Sequence, residues 1–135
     1  YIASAIMDLR YHTTDPAKIE PDSFERDELG RLGMPKEIVM RHRTTQFGHI
    51  FSGEGYAAAY YGYMWAEVLT SDAAEAFAEA PGGFYDKEVA DRLVKYLFSV
   101  RNAMDPEEAY RKFRGRDAKV EALMRDRGFP VTSSD

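Results

Sequence analysis

The 135 residues contain no cysteine. That excludes disulfides, cysteine-based metal sites and thiol catalysis, and it is consistent with a cytoplasmic setting. Basic charge is also short. Lys and Arg number 18 against 23 Asp and Glu, a net charge of −5. A nucleic-acid binder would need a basic patch or stripe, so no nucleic-acid partner is expected. No apolar run reaches the roughly 20 residues of a membrane span, so no membrane partner is expected either. The opening YIASAIMDLRYH has no basic n-region and no cleavage site, and does not read as a signal peptide. Strand patterns are nearly missing, as are internal repeats and low-complexity segments. So are the HExxH zinc helix, the GxSxG elbow and the phosphate-binding Walker loop. His12, His42 and His49 are too scattered for an evident metal set, and no metal ligand is assigned in the chain.

What is present is the composition of a folded protein, 44% hydrophobic and 30% charged. A domain of this length buries about 70% of its unfolded surface. The reading is all-α, one helical region over 1–135, with VTSSD (131–135) as a disordered tail. Tyr1, not methionine, stands first, inside an apparent helix. A fragment or processed chain is therefore expected.

Ile2, Ala5, Ile6 and Leu9 share one helical face in residues 1–12. Pro16 and Pro21 mark a connector. Asp22 with Glu25 has the form of a capping box for a helix to about Leu32, stopped by Gly33. Met34-Pro35 begins a short turn or helix to about Met40. Residues 41–55 read as loop, with Gly48, Gly53 and Gly55 permitting unusual backbone angles. Tyr56–Leu69 reads as helix, broken at Ser71-Asp72 and continued to Glu79. Pro81-Gly82-Gly83 is a firm break. Asp86 caps a helix to about Val100, and Asp105-Pro106-Glu107-Glu108 opens another. A last helix covers about 117–127, ended by Gly128.

The informative stretch is FGHIFSGEGYAAAYYGYMWAEVL, residues 47–69. It places four tyrosines and a tryptophan within ten residues, just after a glycine-broken loop. On a helical wheel Tyr56, Tyr60, Tyr63 and Glu67 fall within about 60° of one another. Tyr61, Met64, Trp65 and Val68 form an apolar sector, and Ala58, Gly62 and Ala66 a small-residue sector. Such a helix, covered on two sides, offers phenols on the third. These are neutral, rigid donors suited to an extended peptide. The plainer alternative is half-buried packing tyrosines. His49 beside Phe47 and Ile50 can equally be a structural histidine, Glu54 a solvated loop charge, and Glu67 a partner for an arginine or tyrosine. The basic run RKFRGRD, 111–117, reads as a solvated helix end.

The segment RHRTTQFGHIFSGEGYAAAYYGYMWAEVLTSDAAEAF resembles the C-terminal region of the thimet-oligopeptidase family of zinc metallopeptidases, nearest its peptidyl-dipeptidase and oligopeptidase A branches. DPEEAYRKFRGRDAKVEALMRDRGF resembles that family's closing helices, and Tyr1–Leu9 a helix before its glycine-rich loop. The resemblance implies the C-terminal part of a larger, mostly helical zincin-type enzyme that hydrolyses short peptides in a channel. It also implies that zinc is bound by HExxH and a further glutamate upstream, so no metal ligand lies in this chain. His49 matches the family's histidine before the glycine loop, Tyr56 the tyrosine after it, and Tyr63 the tyrosine two turns on. Tyr63 and His49 are then the expected catalytic groups, with Tyr56, Tyr60, Gly53 and Gly55 contacting substrate. Implied partners are short peptides and the upstream catalytic part. The piece alone would be inactive, and its exposed apolar surface would favour self-association. The alternative is a non-catalytic helical peptide-binding or interaction module, or a structural helical domain whose tyrosines only pack.

Overall fold

Helix α1, Ile2–Thr13, forms as its apolar spacing predicts, but the buried face differs from the expected one. Ser4, Ala5, Met7, Asp8 and Tyr11 face inward, whereas Ile2 is 60% and Leu9 38% exposed. The reason is Asp8. A fully buried carboxylate must meet hydrogen-bond donors, and those donors fix which way the helix turns. The computed structural model describes residues 1–131, so residues 132–135 of the expected disordered tail lie outside the described residues. All regular structure in these residues is helical, with no strand among them and no helix long and apolar enough to cross a membrane. They pack as two compact units, the first Tyr1–Met64 and the second from Trp65 onward.

In the first unit, α2 spans Pro21–Arg31. The expected Asp22–Glu25 capping box does not form. Glu20 is the cap, accepting from the Ser23 N–H at 2.8 Å, and Pro21 takes the first helical position. Glu25 is instead buried and accepts from the Thr44 N–H and hydroxyl at 2.9 and 2.8 Å. Gly33 ends the helix with φ +68°, a left-handed conformation costly for other residues. Residues 34–40 form turns without a helix. A four-residue helix α3, Gly48–Phe51, interrupts the expected loop. Met7, Tyr11, Met40, Phe47, Ile50 and Tyr60 make the core, with Phe24 and Leu29 packed against it.

Helix α4, Gly62–Ala78, has its first turn, through Met64, in the first unit and in the second runs through Ser71 and Asp72 without the expected break. The polar side chains there bond sideways, so they do not compete for their own backbone. Ser71 donates to Asp126, and Asp72 accepts from the Tyr110 hydroxyl. Asp86 caps α5, Lys87–Leu93, by accepting from the Val89 N–H at 3.0 Å, and the helix then widens into a π turn over Val94–Phe98. Asp105 caps α6, Pro106–Arg114, which ends at Gly115 with φ +82°. The last helix, α7, is Val120–Asp126, shorter than expected. Asp117 stays outside it, held by the Arg111 guanidinium at 2.5 Å.

In the basic run 111–117, Arg111 and Lys112 are exposed on the helix end as expected, but Arg114 and Arg116 are not simply solvated. Arg114 is nearly buried, makes a bidentate pair with Glu79 at 2.7 and 2.8 Å and lies 3.3 Å from Asp72. Arg116 reaches Asp72 at 2.7 Å. A carboxylate with no exposed surface is tolerated at this point because cations from the following segment meet it. Val89, Phe113, Ala76 and Tyr110 form the core, backed by Leu93 and Leu97.

Candidate functional site

Phe47 and Ile50 sit three residues apart and are 1% and 0% exposed. Burying both pins one side of α3 into the first unit's core and leaves His49 between them facing out. The chain then passes through the exposed loop 52–55 and a single 3₁₀ turn, Glu54–Tyr56. A reversal follows at Ala58, whose φ of +55° is left-handed and unusual for a residue with a Cβ. Tyr60 turns into the core, and α4 begins at Gly62, so Tyr63 stands in its first turn.

The expected stripe of phenols along one helix is therefore not how these groups meet. Tyr56 and Tyr60 precede the helix, and 56–61 are turns closed by bonds such as Ala57 N–H to Glu54 O and Gly62 N–H to Ala59 O. Left-handed Ala58 cannot belong to a right-handed helix, and the wheel fails there. Of the small-residue sector, Ala58 lies outside the helix. Of the apolar sector, Val68 is buried, but Tyr61 and Trp65 are 54% and 51% exposed.

The turns nevertheless gather the aromatic groups around one imidazole. Ring centroids of Tyr56, Tyr60 and Tyr63 lie 4.9, 5.4 and 5.7 Å from that of His49. The Tyr63 hydroxyl is 3.3 Å from His49 Nε2. Tyr56 and Tyr63 are 53% and 45% exposed, so both phenols reach solvent. Tyr60 differs. It is 7% exposed, stacks on Tyr1 at 5.7 Å and meets Phe47 edge-on at 5.1 Å. Burial, then the neighbouring Tyr1, push its phenol above the ordinary tyrosine range. Its ring packs edge-on against Tyr63 at 5.3 Å and offers little surface of its own.

Gly53 and Gly55 lie in the exposed connecting loop. Neither needs glycine's special angles in this conformation. Gly53 is extended, and a Cβ on either would meet nothing within 4 Å. Glu54 is exposed, as expected, and Glu67 pairs with Arg127. His12 bonds within α1, and His42 stacks on Phe47 at 5.1 Å.

Asp8 escaped the sequence reading. Its two carboxylate oxygens accept from the Ala58 N–H at 3.0 Å and the Tyr60 N–H at 2.8 Å. The available signal was an acid set in the apolar run Ile6-Met7-Asp8-Leu9, where an uncompensated charge would be costly.

Among the described residues, no group of three His, Asp or Glu side chains could hold a metal ion. The residues described do not make a zinc site, and the resemblance assigns the zinc ligands to residues outside this chain. A cavity of about 840 Å³ opens in the second unit between α4, the π turn and α6. Trp65, Leu69, Leu97, Phe98 and Tyr110 line it, and none of the His49 cluster does.

Comparison with known proteins identifies the family. Residues 1–129 match the model of peptidase family M3. The chain is 33% identical to dipeptidyl carboxypeptidase of Escherichia coli strain K12 over 133 residues, which is 96% of the chain and 19% of that protein. It is 31% identical to oligopeptidase A of Haemophilus influenzae over 91% of the chain and 18% of that protein. To a probable cytosolic oligopeptidase A of Arabidopsis thaliana it is 40% identical, over 96% of the chain and 19% of that protein. The chain thus spans about a fifth of the length of these relatives. With nearly every residue inside the matched region, the chain belongs to peptidase family M3.

Proposed function

We propose that this chain is the substrate-facing part of a zinc-dependent peptidase acting on short peptides, and that the metal ligands belong to residues outside it. One observation carries the reading. An exposed imidazole and two exposed phenols, from α3, the turn after the glycine loop and the first turn of α4, converge on one another. Packing tyrosines keep their rings inside, as Tyr60 does, whereas Tyr56 and Tyr63 present theirs.

In this reading Tyr63 is a catalytic residue. Its hydroxyl donates to the oxygen that becomes negative when the peptide carbonyl is attacked. A preorganised neutral donor is worth most where charge develops and water is excluded. His49 Nε2 lies against that hydroxyl and holds it in place, and the imidazole also borders the substrate. Tyr56 hydrogen-bonds the peptide in the ground state. Tyr60 backs the Tyr63 ring and the His49 imidazole from the core side. Gly53 and Gly55, in the exposed loop beside the cluster, let the loop adjust to different peptides. The zinc, bound elsewhere in the complete enzyme, supplies the electrophilic chemistry. The 135 residues by themselves are inactive, and the enzyme works in the cytoplasm.

The test is a peptidase assay on the complete protein and on this chain alone, with and without a chelator. Hydrolysis by the complete protein that stops on metal removal, and none by the chain, is expected. The lengths of the products separate dipeptide release from internal cleavage. Peptide binding by the complete protein without hydrolysis would instead favour a binding module.

A further inference from the structure

We infer that Asp8 is a positioning residue for the substrate-facing phenols, an inference that rests on the reading of Tyr63 given above. Asp8 lies in α1, fifty residues from the segment it holds, and has no exposed surface. Its oxygens take the N–H groups of Ala58 and Tyr60. The turn bonds of this segment run from the N–H groups of Tyr56, Ala57, Ala59 and Gly62, so the carboxylate takes two donors that those turns leave over.

The clamp acts where the backbone is least comfortable. Ala58 has φ +55°, which a residue with a Cβ adopts only when its surroundings impose it. The reversal at Ala58 separates Tyr56 on the loop from Tyr63 on α4. It therefore sets how both rings face His49. His12 Nδ1 lies 2.9 Å from Asp8 Oδ1, while its hydrogen bond is to the Asp8 backbone carbonyl at 2.8 Å. A small displacement of a reacting group costs rate heavily, so loosening this clamp reaches the chemistry without touching substrate.

The experiment is a set of variants of the complete protein. Asp8→Asn keeps the shape but leaves one N–H without an acceptor. It is expected to lower kcat by about 10–100-fold with KM changed less. Placed on Tyr63→Phe, it should add almost nothing, because the hydroxyl it aims is already gone. Ala58→Gly, which relaxes the left-handed backbone, should recover part of the loss in Asp8→Asn. Amide hydrogen exchange at Ala58 and Tyr60 should quicken in Asp8→Asn while α6 stays protected.

An unchanged kcat in Asp8→Asn, or losses that multiply fully with those of Tyr63→Phe, overturns the inference. So does failure of both Asp8→Asn and Asp8→Asn/Ala58→Gly to fold, which would make Asp8 a folding residue only. Wild-type kcat in Tyr63→Phe alone is a different failure. It removes the catalytic reading of Tyr63, and the amide exchange then shows separately whether Asp8 holds the turn.

Discussion

The Tyr110 hydroxyl donates to Asp72 Oδ2 at 2.7 Å, joining α6 to a carboxylate buried in the middle of α4. Burial alone would raise the Asp72 pKa. The bonds from Arg116 and Tyr110, with Arg114 nearby, outweigh it and hold the carboxyl below its ordinary value of 3.8. Glu79 is likewise held below 4.5, chiefly by its bond from Arg114. A lowered folded pKa gives stability that is present above the ordinary value and lost as pH falls through the folded one. Tyr110 shifts the other way. Burial, then its bond to Asp72, push it well above 10.0, so its contribution is present below pH 10 and lost as pH rises beyond it. Urea midpoints measured across pH should therefore be flat from about pH 5 to about pH 10 and fall on both sides. Tyr110→Phe should shrink the alkaline fall and lower stability by about 1–3 kcal/mol, since it leaves Asp72 short of a donor.

Glu25 plays the matching part in the first unit. It joins α2 to the segment entering α3 through Thr44, whose hydroxyl also meets Tyr11 at 2.5 Å. Glu25→Ala strands the buried Thr44 N–H and takes one partner from the Thr44 hydroxyl, which keeps Tyr11. It should cost about 1–3 kcal/mol in chemical denaturation. The partner Arg43 is half exposed and adds little.

Tyr56 is assigned to ground-state binding, so its loss should appear in KM. Tyr56→Phe removes a hydroxyl and keeps the ring against His49. A neutral hydrogen bond of about 1 kcal/mol corresponds to a roughly fivefold rise in KM with kcat little changed. Steady-state kinetics on a short peptide reads this directly. A fall in kcat instead would move Tyr56 into the chemical step.

The helical class and the helix ends at Gly33, Asp86 and Asp105 were legible because each depends on neighbouring residues alone. Long-range bonds were not legible. Asp72 resembled a helix breaker, Glu25 a cap and Arg114 a solvated charge, yet each is committed to a partner distant in sequence. The aromatic cluster was readable as a group of residues but not as a geometry. The wheel assumed one continuous helix through 56–69, and only Asp8, fifty residues earlier, explains why the chain reverses at Ala58. The inward face of α1 was misjudged for the same reason, because its direction is set by a carboxylate and not by Ile2 and Leu9.

The most direct test is kcat of Tyr63→Phe in the complete enzyme, with its thermal midpoint measured alongside. The side chain is half exposed and its hydroxyl bond to His49 is long, so folding should be untouched. Loss of one oxyanion donor predicts a kcat lower by roughly 10²–10³. A variant that keeps the wild-type kcat would contradict the account.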